Sequence, residues 1–131
     1  MAGRVRDDIY VLQAQIAKAI GHATRLRIVD TIATDEVSFG DLLRRIGVTK
    51  ANLSQHLALM RGQGILLSRK DGKQVFYRVA NPKLLEACDL LREILIEQIR
   101  AESALLDHGP WQLTGGARTA VREASLERGD S

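Results

Sequence analysis

The feature that most restricts this chain is a gap of three residues. Phe39, Leu42, Leu43 and Ile46 fall at i, i+3, i+4 and i+7, one face of a short helix, and Leu53, Leu57 and Met60 resume helical spacing after only Gly47-Val48-Thr49. Gly47 suits the left-handed position that ends a helix, and Thr49 can cap the next by offering its hydroxyl to a first-turn N–H. Ser38 stands in a Ser-x-x-Asp pattern with Asp41, a capping box at the start of the first helix. Two short helices joined by so tight a glycine-containing turn read as a helix-turn-helix.

The flanking sequence completes a small domain. Beyond Gly64, residues 65–69 and 75–79 are β-prone, with Asp71-Gly72 between them as a turn signal. Val75, Tyr77 and Val79 share one face of the second strand and Arg78 takes the other. A hairpin directly behind the second helix of such a motif is a wing. Upstream, Asp7 and Asp8 occupy an N-cap position ahead of Ile9, Leu12, Ile16, Ala19 and Ile20, and Gly21 ends that amphipathic helix. A second helix is expected at about 23–33, with Leu26, Val29, Ile32 and Ala33 inward and Arg25, Arg27 and Asp30 outward. Asn81-Pro82 opens a last long helix bearing a stripe of Leu84, Leu85, Cys88, Leu91, Leu95 and Ile99.

That stripe lies beyond a domain already complete and needs a surface to cover it. The first helix and a second copy of the chain would supply one. The expected fold class is mainly α with a small β-hairpin: a winged helix-turn-helix domain over residues 1–106, with N- and C-terminal dimerisation helices at about 9–20 and 82–106. Ile9, Leu12, Ile16, Leu84, Leu91 and Leu95 are the expected dimerisation positions. Residues 107–131, with Gly-Pro-Trp, Gly-Gly and mixed charges, read as a flexible tail.

Charge points to the partner. The net charge is only +3, but residues 41–80 hold eight Lys or Arg against two Asp, so this window carries +6 and the rest −3. Positive charge so concentrated suits a surface that lies on phosphates; charge alone equally fits a solvated basic face. No apolar run reaches the ~18–20 residues of a bilayer span and no signal-peptide core is present, so a cytoplasmic chain without a membrane partner is expected. A single cysteine, Cys88, excludes an internal disulfide framework. Without a Gly-rich phosphate loop, triad spacing or facing carboxylates, an enzyme is not expected, and no cofactor is implied.

With these elements in order, the chain resembles the arsenic-repressor (ArsR/SmtB) family of bacterial winged-helix regulators. The likeness is carried by Ala19-Ile20-Gly21-His22-Ala23-Thr24-Arg25-Leu26-Arg27-Ile28, by Leu53-Ser54-Gln55-His56-Leu57 with Gly64-Ile65-Leu66, and by residues 69–79. It runs from about residue 9 to 105 at the expected spacings. The resemblance implies homodimers built from the first and last helices, a pseudo-palindromic DNA operator near the regulator's own promoter, and repression relieved by an inducer.

With Leu53, Leu57 and Met60 inward, Thr49, Lys50, Ala51, Ser54 and Gln55 face out at the start of a helix of major-groove diameter. Gln55 can pair with adenine and Lys50 can donate to guanine, while Thr49 and Ser54 can bond to bases or phosphates. Arg69, Lys70 and Lys73 in the wing suit phosphates or the minor groove. Thr49 has the competing role of helix cap, and His56, counted with the DNA-binding set, has that of pointing back to hold the turn. Arg44 and Arg45 read as a solvated face.

The family pattern departs where inducers would bind. Ser38 and Gly40 stand where arsenite- or cadmium-sensing relatives carry a Cys-x-Cys pair, and Asn81, Lys83, Ile94 and Glu97 replace the zinc ligands of the last helix. Neither familiar metal site has its donor atoms, and no metal is expected there. His22 has a structural reading, and a site built from His108 with acids across a dimer is the remaining histidine alternative. Cys88 is the candidate sensor, by oxidation or by pairing with its counterpart across the twofold axis; its alternative is simple core packing. Beside a ligand-responsive repressor stand two further readings: an architectural DNA-binding protein without a switch, and a winged-helix module that binds another protein.

Overall fold

The computed structural model describes residues 2–103, with side chains from 8 to 101. Eight elements follow one another: α1 (Ala2–Ile20), α2 (Ala23–Ile32), β1 (Val37–Ser38), α3 (Phe39–Ile46), α4 (Lys50–Gly62), β2 (Leu66–Asp71), β3 (Gln74–Val79) and α5 (Lys83–Ser103). The three strands form one antiparallel sheet in the order β1-β3-β2. The chain divides after Glu86 into two units, so most of α5 belongs to the second. The expected tail and His108 lie outside the described residues.

Helical spacing placed the core of the reading head correctly. Leu42 and Ile46 of α3 and Leu53, Leu57 and Met60 of α4 are buried, together with Ile28, Val29 and Ile32 of α2 and Leu66, Tyr77 and Val79 of the hairpin. The α4 helix packs against β2, α1 and α2. Gly64, at φ +73°, reverses the chain behind α4. The Ile65 N–H then donates to the Met60 carbonyl at 2.9 Å, and the Ala80 N–H donates to the Ile65 carbonyl at 2.9 Å. These two bonds tie both ends of the hairpin to the end of α4.

Four expectations change. First, α1 begins at Ala2, so Asp7 and Asp8 lie inside the helix rather than capping it; no proline precedes them to stop the helix from extending. Second, the inward face of α2 is shifted by one residue. Ile28 is buried in place of Leu26, which is 39% exposed, and Arg25 turns in rather than out. The physical reason is a hydrogen bond: Arg25 Nη1 donates to the Ala19 carbonyl at 3.1 Å, satisfying an acceptor in the last turn of α1. Third, the hairpin pairs Asp71 with Gln74, so the two turn residues are Gly72, at φ +63°, and Lys73. Fourth, β1 is an additional strand, too short to show any alternation.

Candidate nucleic-acid interface

The reading head is assembled by caps. Ser38 Oγ accepts from the Asp41 N–H at 3.2 Å and starts α3, while the Asp41 carboxylate pairs with Arg44 on the next turn. Gly47 ends α3 at φ +76°, ψ +27°, the left-handed geometry glycine adopts without steric cost. Thr49 Oγ1 then accepts from the Asn52 N–H at 3.1 Å, so the side chain of Thr49 is in use as the cap of α4.

With Leu53, Leu57 and Met60 sealed below, Lys50, Ala51, Ser54 and Gln55 are all exposed on the outer side of α4. The first two turns thus expose one cation, one hydroxyl and two amides, those of Asn52 and Gln55, where the helix dipole also favours a neighbouring phosphate. His56 is not among them. It is half-buried and faces His22, with ring centroids 4.6 Å apart and planes inclined by 52°. Burial, then His22, then Arg25 hold its pKa below the ordinary value. His22 is itself the N-cap of α2, its Nδ1 accepting from the Thr24 N–H at 3.1 Å. Histidine is an uncommon cap, so its sequence position did not announce the role.

The wing cations differ from one another. Lys70 and Lys73 are exposed near the hairpin turn, outside any ion pair among the described residues. Arg69 is engaged: Nε and Nη2 donate to the two carboxylate oxygens of Glu36, the latter at 3.2 Å, and the guanidinium lies 4.6 Å above the Phe76 ring. From the sequence, Glu36 and Asp41 read only as acids flanking a helix start, explained by capping. Between the start of α3 and the hairpin, a cleft of about 610 Å³ is bordered by Ser38, Gly40, Arg44, Lys73 and Phe76. It contains no thiol or imidazole.

The expected dimerisation positions divide by unit. On α1, Ile9, Leu12 and Ile16 are exposed, at 54%, 58% and 46%, with Tyr10 and Val11 beside them. On α5, Leu91 and Leu95 are exposed with Leu90 and Ile94, whereas Leu84 and Cys88 are half-buried. None of the described helices is long and apolar enough to cross a membrane.

Two capped helices with a three-residue turn, followed by a hairpin tied to the second helix, define a winged helix-turn-helix head. A helix-turn-helix domain model matches residues 20–69. The HTH-type transcriptional regulator Rv0081 of Mycobacterium tuberculosis is 30% identical over 102 residues, covering 77% of this chain and 90% of that protein. Its crystal structure superposes with a TM-score of 0.67 over 72% of this chain and 96% of that one. The biofilm growth-associated repressor of Xylella fastidiosa is 35% identical over 85 residues, 65% of this chain and 75% of that protein. The transcriptional activator HlyU of Vibrio cholerae is 32% identical over 79 residues, 60% of this chain and 73% of that protein. The chain belongs to the ArsR-type family of DNA-binding winged helix-turn-helix transcriptional regulators.

Proposed function

We propose that this regulator is a cytoplasmic homodimeric repressor that occupies a pseudo-palindromic operator and leaves it when an inducer binds. The observation that carries the reading is the start of α4, where Lys50, Ser54 and Gln55 stand exposed while Leu53, Leu57 and Met60 of the same helix are fully buried. Those three side chains read base edges; Ala51 lets the helix approach closely, and Thr49 shapes the helix start as its cap. Lys70 and Lys73 bind phosphate. The exposed apolar residues of α1 and α5 are covered by a second copy, since faces this apolar on a regulator of this size mark an association surface. The relative from Xylella fastidiosa supports repression, being named a repressor.

The inducer acts away from the familiar metal positions, and Cys88 on α5 is the residue offered to it. The experiment is binding of the full chain to duplexes recovered by in-vitro selection, with the oligomeric state measured by sedimentation. A dimer with salt-dependent affinity for a palindrome is expected. Gln55→Ala should weaken that complex by about 1–3 kcal/mol and relax preference at one position per half-site. Equal losses on operator and random duplex would remove Gln55 from base reading, and a monomer would remove the dimer.

A further inference from the structure

We propose that Glu36 is a positioning and specificity residue for DNA binding, which holds Arg69 across the sheet, fixes the wing, and withholds that guanidinium from phosphate. This inference rests on the DNA-binding reading above. Glu36 precedes β1 and belongs to neither the helix-turn-helix nor the hairpin, and it lies 33 residues from Arg69 in sequence.

The register explains how they meet. Ser38 on β1, Phe76 on β3 and Arg69 on β2 are neighbours in one row across the sheet. The Arg69 side chain lies along this row over the Phe76 ring, and its fork closes on both oxygens of Glu36 at the β1 side. A second carboxylate, Asp71, stands 3.7 Å from Nη1. An exposed ion pair contributes little to stability, so anchoring the fold is a poor account of this arrangement. A two-pronged guanidinium–carboxylate contact stacked on an aromatic ring does fix direction, because the planar fork loses little further freedom once aligned.

The electrostatic consequence concerns discrimination. A free wing cation is attracted to any phosphate, whatever the base sequence, and strengthens random binding as much as operator binding. A guanidinium matched by Glu36 and Asp71 displaces few counterions, which leaves phosphate attraction to Lys70 and Lys73. Holding Arg69 thus lowers sequence-independent affinity while the wing keeps one pose on the operator.

The test measures log K against log salt for the full chain on a selected operator duplex and on a random duplex. Lys70→Gln should flatten the slope by about 1.8, the value of one phosphate contact from each wing of the dimer. Arg69→Gln should leave the slope unchanged. Glu36→Gln, nearly the same shape without the charge, should steepen it by about 1.8, one released guanidinium per wing, and tighten random DNA more than operator, so that the specificity ratio falls. Adding Arg69→Gln to Glu36→Gln should restore the original slope. A flattened slope in the double variant, which removes Arg69 without baring Glu36, would show that Arg69 exchanges carboxylate for phosphate on binding and would overturn the proposal. So would an unchanged slope and ratio in Glu36→Gln. If Lys70→Gln has no effect, the wing does not meet phosphate and the inference fails with it. Absence of salt dependence in the unmodified chain would instead overturn the DNA-binding reading itself.

Discussion

Replacing Ala33 by glycine should stabilise this protein. Ala33 follows the last residue of α2 at φ +50°, ψ −123°, and it is the non-glycine residue with positive φ among the described residues. The Asp35 N–H donates to the Ile32 carbonyl at 2.9 Å, closing a turn whose second residue is Ala33. Those angles are the first central position of a type II′ turn, which glycine dominates because a Cβ crowds the backbone there. Such a conformation costs a non-glycine residue about 1–3 kcal/mol. Two terms oppose the gain. Glycine in the unfolded chain has more freedom to lose, about 0.4–1 kcal/mol. The half-buried methyl forfeits part of the ~0.8 kcal/mol of a fully buried carbon. The balance favours glycine by about 1 kcal/mol, equivalent to a rise in Tm of roughly 4–8 °C for a domain of this size. The assay is thermal and denaturant unfolding at fixed protein concentration, because association would make Tm concentration-dependent. A higher midpoint with unchanged m is the expected result. A neutral or destabilised Ala33→Gly would refute the assignment of strain to this residue.

Two further outcomes follow from side chains already placed. The fold lowers the pKa of His56, so below its ordinary value of 6.5 the unfolded chain takes up a proton that the native chain resists. Stability should be flat above that pH and decline as pH falls toward the lowered folded value; His56→Gln should flatten the decline, and an unaltered decline would assign it to other groups. Cys88→Ser should abolish operator release by peroxide if the thiol is the sensor, as followed by fluorescence anisotropy; release persisting in the variant would return Cys88 to a packing role.

The sequence displayed those parts of the site whose physics is local. The caps Ser38 and Thr49, the left-handed Gly47 and the seam of Leu53, Leu57 and Met60 each depend on residues within one or two helical turns, so spacing alone revealed them. The facing of α2 was misjudged because one long-range bond, Arg25 to the Ala19 carbonyl, drew a cation into the slot where an apolar residue was expected. His56 and Arg69 carry the same lesson. Both were counted with the DNA-facing set, His56 with an inward alternative beside it; the structure turns His56 toward His22 and Arg69 onto Glu36, partners set by packing of α4 on α2 and by sheet register. Strand β1 contains only Val37 and Ser38, fewer residues than any periodicity requires.

Ser38 belongs to two structures at once. It is paired with Phe76 in the sheet, and its hydroxyl begins α3, so no spacer residue intervenes between strand and helix. A joint of zero length has no slack to absorb a change in tilt. Sheet and α3 are thus joined directly, and Gly47, Val48 and Thr49 are all that separate α3 from α4. One serine therefore sets both the edge register of the sheet and the first turn of the helix-turn-helix.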